Sequence, residues 1–179
     1  MRLKHFDHDG RARFVTFCTH KRIPVLTNDP FRESIIKSIE SVRNEFEFRL
    51  LGYVIMPEHI HLVLIPKSET KVGEIVGKIK RLSAKEIHRT LKRQRNGLLS
   101  KLLVYRNGIE KFALWQRRCY DHNCRTDSSV WKKVEYCHNN PVKRGLVREP
   151  YRWNWSSFNC YAGAQEVPLA NDVEIIAEQ

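Results

Sequence analysis

The chain has 179 residues, with 32 Lys and Arg against 20 Asp and Glu and a formal net charge of +12. Hydrophobic residues at 41% beside 29% charged describe a globular chain long enough for one domain with a real core, and exclude a disordered one. No apolar run reaches the roughly 18–20 residues of a membrane span, and the first ten residues hold no apolar stretch to serve as a secretory signal.

In chain order, residues 12–18 are β-rich and predict a strand. Asn28-Asp29-Pro30 sets a capping residue before Pro at a helix start. Phe31, Ile35, Ile36, Ile39, Val42 and Phe46 then form one apolar helical stripe. Residues 48–56 predict a second strand broken by Pro57-Glu58, and residues 59–65 a third ended by Pro66. Val72, Ile75, Val76, Ile79 and Leu82 line a second helix, whose other side is basic. Residues 92–110 are polar, basic and without a clear period. Residues 112–120 predict a fourth strand. A last helix opens at Asp127-Ser128-Ser129 and is expected to end before Pro141 and Gly145. The order β-α-β-β-α-β-α predicts an α+β fold: an antiparallel sheet with helices on one face, a ferredoxin-like core and a C-terminal extension.

The charge is uneven. Residues 67–106 hold twelve Lys and Arg against Glu69, Glu74 and Glu86, whereas residues 165–179 hold four acids and no Lys or Arg. A basic middle points to a polyanionic partner, nucleic acid first; a solvated helix face is the plain alternative. Five scattered cysteines predict free thiols in a reducing cytoplasm rather than a disulfide scaffold.

His59 and His61 stand two apart on a predicted strand and so project from one face. Such a pair can hold a divalent cation with a third ligand from elsewhere, or it can simply be buried or surface decoration. A histidine-triad hydrolase needs a third His at position 63, which is Val. A two-histidine phosphoesterase needs a second His-x-Thr/Ser, and none of the other histidines supplies one. Tyr136 lies in the last predicted helix with Asn140 four residues on, and Lys132 and Lys133 flank the same face. Its phenol is either a nucleophile assisted by nearby cations or a packed ring bonded to Asn140 or water.

Taken together, these segments resemble a known family. Gly52-Tyr53-Val54-Ile55-Met56-Pro57-Glu58-His59-Ile60-His61-Leu62 resembles the HUH segment of single-tyrosine transposases. Tyr136-Cys137-His138-Asn139-Asn140-Pro141-Val142-Lys143-Arg144-Gly145 is similar to the tyrosine helix of their REP-associated branch. So are Trp115-Gln116-Arg117 followed by Asp121-His122, and Trp153-Asn154-Trp155-Ser156-Ser157 with Tyr161 beyond. The likeness runs from about residue 13 to 163, in order.

The resemblance implies cleavage and rejoining of single-stranded hairpin DNA by a bacterial cytoplasmic enzyme. It implies a core over residues 1–150 and a Trp-containing extension with an acidic tail over 151–179. His59, His61 and Asn140 are expected to hold Mg²⁺ or Mn²⁺, and Tyr136 to attack the phosphate and form a 5′-phosphotyrosine. Lys80 matches a family lysine, and Lys78, Lys80, Arg81, Lys85, Lys132 and Lys133 are expected to contact DNA. Asp121 and His122 are candidates for orienting the histidines. Cys137 and the polar Asn123-Cys124-Arg125 depart from the family pattern. Two other readings share the sequence: an idle hairpin-binding or regulatory protein on the same fold, and an RNA-binding sheet. The latter would want aromatic pairs where His59 and His61 stand. The extension favours a monomer over a homodimer, and the acidic tail is expected to compete with DNA for the basic surface.

Overall fold

A computed structural model describes residues 10–172. Four strands, β1 (Arg13–Cys18), β2 (Arg49–Ile55), β3 (His59–Ile65) and β6 (Tyr120–Asn123), form one antiparallel sheet in the order β2-β3-β1-β6. Helices α1 (Asp29–Phe46) and α2 (Val72–Arg93) complete a ferredoxin-like β-α-β-β-α-β unit. Between α2 and β6 lie the short helix α3 (Leu98–Lys101) and a hairpin of β4 (Leu103–Arg106) and β5 (Ile109–Phe112). Helix α4 (Asp127–Lys143) follows, then a segment ending in the one-turn α5 (Phe158–Tyr161).

Alternation along the strands sorts the core into two layers. Val15, Phe17, Tyr53, Ile55, Ile60, Leu62 and Leu64 pack on α1 and α2. The intervening Phe14, Val54, Met56 and Val63 meet Val130, Val134 and Cys137 of α4 on the opposite face. The α+β fold and antiparallel sheet are as expected, but the expectation of helices on one face is corrected. A central strand apolar on both sides needs cover on both, and α4 covers the histidine side.

Two boundaries also differ. Residues 112–120 do not form the fourth strand. Residues 113–119 run irregularly because the Trp115 indole donates to Ser83 Oγ at 3.1 Å and its ring packs edge-on against Phe17. The strand is instead the polar Tyr120–Asn123, tolerated at a sheet edge with one solvated side. Helix α4 continues through Pro141, because proline removes only one bond so near the end. It closes with Gly145 at φ +66°, Gly145 N–H donating to Val142 O and Leu146 N–H to Pro141 O, a Schellman arrangement. The anticipated cap of α1 is made by the Asn28 carbonyl, which accepts from Phe31 and Arg32 N–H, and not by its side chain.

The C-terminal segment covers the outer edge of β2. Ile55 N–H donates to Trp155 O at 2.8 Å and Ser157 N–H to Tyr53 O at 3.0 Å. Asp172 accepts from Leu50 N–H at 2.7 Å and pairs with Arg43. That acid of the expected DNA-competing tail is thereby held at β2; Glu174 and Glu178 lie outside the described residues. Trp153 donates to Ile55 O and, with Trp155, lies against the Arg32 guanidinium, so both serve as anchors.

Gly52 is the close approach between sheet and α4. A Cβ there would lie 3.2 Å from Val134 Cγ2 and 3.4 Å from Ser157 Oγ. Gly52→Val should therefore lower stability by about 1–3 kcal/mol through overpacking. Gly77→Ala on α2, where a Cβ meets nothing within 4 Å, should raise it by about 0.5–1 kcal/mol. Urea midpoints at constant m-value check both signs.

Candidate active site

Strand β3 delivers His59 and His61 to the α4 face, their rings 4.6 Å apart and both nearly buried. Each imidazole is oriented through Nδ1. The His59 Nδ1–H donates to Glu58 Oε1 at 3.0 Å. His61 Nδ1 lies 2.7 Å from Thr16 Oγ1, its register partner on β1. The Asn140 amide nitrogen, which can only donate, stands 3.2 Å from His61 Nε2. His61 Nε2 is therefore an acceptor, and Nδ1 carries the proton given to Thr16. Hydrogen bonding of this kind fixes the tautomer that leaves Nε2 basic.

Burial sets the protonation state. It pushes His61 down to about 3, aided by His59, Arg22 and Lys133. It lowers His59 too, although Glu58 opposes the shift. Both rings are neutral near pH 7, as a metal ligand must be. Burial alone would raise the Glu58 carboxyl, but His59, Arg144 and Arg22 more than offset it and hold it below the usual range. Glu58 accepts from Arg22 at 3.1 Å and Arg144 at 2.9 Å as well as from His59, so one carboxylate ties three elements together.

Tyr136 and Asn140, one helical turn apart on α4, meet the histidines across the cleft. The Tyr136 ring sits 5.2 Å from His61 and 5.7 Å from Phe14, edge-on to both, with its side chain 38% exposed. Among the described residues its hydroxyl has no hydrogen-bond partner; Asn140 serves His61 instead. Lys143 Nζ lies 5.5 Å from the Tyr136 ring centre. Thr16, Arg22, His59, His61, Tyr136, Asn140, Lys143 and Arg144 line an open cleft of about 300 Å³. The donors capable of holding an ion there are the two Nε2 atoms and the Asn140 amide. Among the described residues no three His, Cys, Asp or Glu side chains converge as a metal site, here or elsewhere, so the third donor in this cleft is an amide.

The other candidate residues are dispersed. Lys133 lies 4.7 Å over the Phe14 ring, beside the cleft, and Lys132 is exposed on the same helix. The α2 residues belong to the opposite layer: Lys78 pairs with Glu45, and Arg81 and Lys85 are exposed there. Lys80 donates to the carbonyls of Gln116 at 2.6 Å and Arg117 at 3.2 Å, which anchors the irregular segment before β6. Asp121 pairs with Arg13 in the sheet rather than with either histidine, and exposed His122 stacks on Tyr120. Glu58 and Thr16 orient the histidines instead. His138 is pushed down to about 4 by burial and bonds Ser157 Oγ at 2.9 Å, tying α4 to the C-terminal segment.

Arg22, Lys143, Arg144, Thr16 and Glu58 escaped the sequence reading. Lys143, seven residues after Tyr136, and Arg144, four after Asn140, were open to the same helical spacing argument that paired Tyr136 with Asn140.

Residues 11–108 match the family described as Transposase IS200 like. A Haemophilus influenzae protein, named provisionally as a REP-associated tyrosine transposase, is 28% identical over 160 residues, 89% of this chain and 86% of its own. An Escherichia coli REP-associated tyrosine transposase is 23% identical over 175 residues, 95% of this chain and 90% of its own. The solved structure of a REP-associated tyrosine transposase bound to a REP hairpin superposes with a TM-score of 0.68 at 22% identity, covering 97% of this chain and 92% of that one. That likeness establishes the shared fold.

Proposed function

The chain belongs to the IS200-like transposase family of DNA-cleaving enzymes, and we propose that it is a metal-dependent endonuclease and strand transferase for single-stranded, REP-like palindromic hairpin DNA. The observation that carries this reading is the convergence of Tyr136 with His59, His61 and Asn140 in one cleft rimmed by Arg22, Lys143 and Arg144. A binding module has no use for two buried, neutral, oriented imidazoles facing an exposed phenol.

The Tyr136 oxygen attacks the scissile phosphorus as its proton passes to solvent. The bond from phosphorus to the 3′ oxygen breaks, and that oxygen takes up a proton to leave as a 3′-hydroxyl. The product is a 5′-phosphotyrosine, which keeps the energy of the broken ester. A 3′-hydroxyl from another strand can then attack it, releasing the phenol and joining DNA without ATP. Lys143 and Arg144 offset charge on the phenolate and on the equatorial oxygens. His59 and His61 through Nε2, with the Asn140 amide turned over from its bond to His61 so that its oxygen faces in, would hold Mg²⁺ or Mn²⁺. The imidazole nitrogens are softer donors than Mg²⁺ prefers and suit Mn²⁺ better, with phosphate and water oxygens completing the shell. When bound, such an ion polarises the scissile phosphate.

The site assembles from β3 and α4 of one chain, which supports a monomer as the catalytic unit. All five cysteines are free thiols, which suits the cytoplasm. Among the described residues no helix is long and apolar enough to cross a membrane.

Chelation tests the metal requirement. A labelled single-stranded hairpin should be cut with Mg²⁺ or Mn²⁺ present and left intact in EDTA, with cutting restored by excess metal. Undiminished cleavage in EDTA would remove the His59, His61 and Asn140 assignment.

A further inference from the structure

The β4–β5 hairpin is a wing fixed at its root and bare at its tip. Leu102 is fully buried, Leu98, Leu99 and Phe112 pack on the core, and Phe112 stacks on His88 of α2 with ring centres 4.3 Å apart. Beyond that root, Asn107 and Gly108 at φ +52° and +74° form a tight two-residue turn. Tyr105 and Ile109 beside it are 76% and 60% exposed, the two most exposed large apolar side chains among the described residues.

Cations surround them. Lys101, Arg106 and Lys111 are exposed with no ion pair among the described residues, and Arg93 and Arg95 stand exposed just before the wing. Register pairs Val104 with Lys111 and Arg106 with Ile109, which sets both cations on one face of the ribbon, while Tyr105 pairs with Glu110 on the other. The wing also connects to the cleft. His20 is held below the ordinary imidazole range by burial, then by Lys21 and Arg106. Two residues past β5, Leu114 O accepts from His20 N–H at 2.7 Å, so the root of the wing abuts the turn His20–Arg22, whose last residue lines the cleft.

We infer that this wing is a second DNA contact, gripping the base-paired stem of the hairpin whose single-stranded foot enters the cleft. The inference rests on the hairpin-DNA reading above. Unpaired cations on the ribbon complement a duplex phosphate backbone, and Lys21 continues the positive charge toward the cleft, where Arg22 is already paired with Glu58. Tyr105 supplies a ring for an unpaired or terminal base. The basic face of α2, by comparison, spends Lys78 on Glu45 and Lys80 on backbone carbonyls.

The test compares a hairpin oligonucleotide with a stem-less strand carrying the same cleavage site. In the triple variant Lys101→Gln, Arg106→Gln, Lys111→Gln, hairpin affinity at 0.1 M salt should fall at least about tenfold, and the slope of log Kd against log salt should drop by roughly three. Tyr105→Ala should cost about fivefold or more. Cleavage of the stem-less strand should stay within twofold of wild type in both. Equal affinity for the hairpin would overturn the inference. So would a concentration-dependent dimer, seen by analytical ultracentrifugation and lost in Tyr105→Ala, with DNA affinity intact; that result assigns the wing to self-association. If wild type cuts neither substrate, the cleavage reading fails, while the affinity comparison still decides the wing.

Discussion

Tyr136→Phe is expected to abolish hairpin cleavage, by at least about 10⁴-fold, while hairpin affinity should change less than twofold. The size follows from removing the attacking oxygen itself, for which nothing else in the cleft substitutes. The specificity follows from what remains: phenylalanine keeps the edge-on contacts with Phe14 and His61. Because the phenol has no hydrogen-bond partner among the described residues, its loss strands no buried group, and thermal stability should not move by more than a degree or two. Single-turnover cleavage with an affinity measurement on the same preparation checks both halves. Residual cleavage above about 0.01 per cent would mean that another nucleophile, water included, does the work.

His61→Ala should have the second large effect, a loss of at least about 10³-fold that excess Mg²⁺ or Mn²⁺ should not restore. His61 is the hub of the site. It bonds Thr16 through Nδ1, faces Asn140 through Nε2, and touches the rings of His59, Phe14 and Tyr136. Removing this imidazole takes away one of the three groups proposed to hold the ion, together with the bond between Nδ1 and Thr16. Titrating cleavage against Mn²⁺ separates the causes: a weakened site saturates at higher metal, whereas loss of the site gives no saturation. Wild-type rates at ordinary metal concentrations would contradict the ligand assignment.

Local pattern carried much of this fold. Strand β3 was legible to the residue, because Pro57 and Pro66 bound an unbroken apolar run and alternation put both histidines on one face. The Tyr136 and Asn140 pairing followed from helical spacing alone. The β4–β5 hairpin also had a local signal, Asn107-Gly108 between β-forming residues, hidden by the surrounding cations. Residues 113–119 misled because Phe112, Trp115 and Tyr120 give the stretch they span a strand-like look, while Trp115 spends its indole on Ser83 in another element.

Tertiary pairing supplied what local pattern could not. Thr16 reaches His61 only because β1 and β3 pair in that register, and Arg22 enters the cleft through Glu58, thirty-six residues away. The placement of α4 was legible in principle. A central strand with Ile60, Leu62 and Leu64 on one side and Val63 beside the histidines on the other cannot leave either face in water.

The most direct measurement is covalent trapping with a hairpin labelled on either side of the break. Protein, labelled hairpin and Mn²⁺ or Mg²⁺ are combined and resolved under denaturing conditions. A 5′-phosphotyrosine predicts that label placed 3′ of the break migrates with the protein, while label placed 5′ of it is released on a fragment ending in a free 3′-hydroxyl. The adduct should vanish in Tyr136→Phe. Label from the 5′ side on the protein, or cleavage with no adduct at any time, would contradict the account; so would tight hairpin binding with no cleavage in either metal.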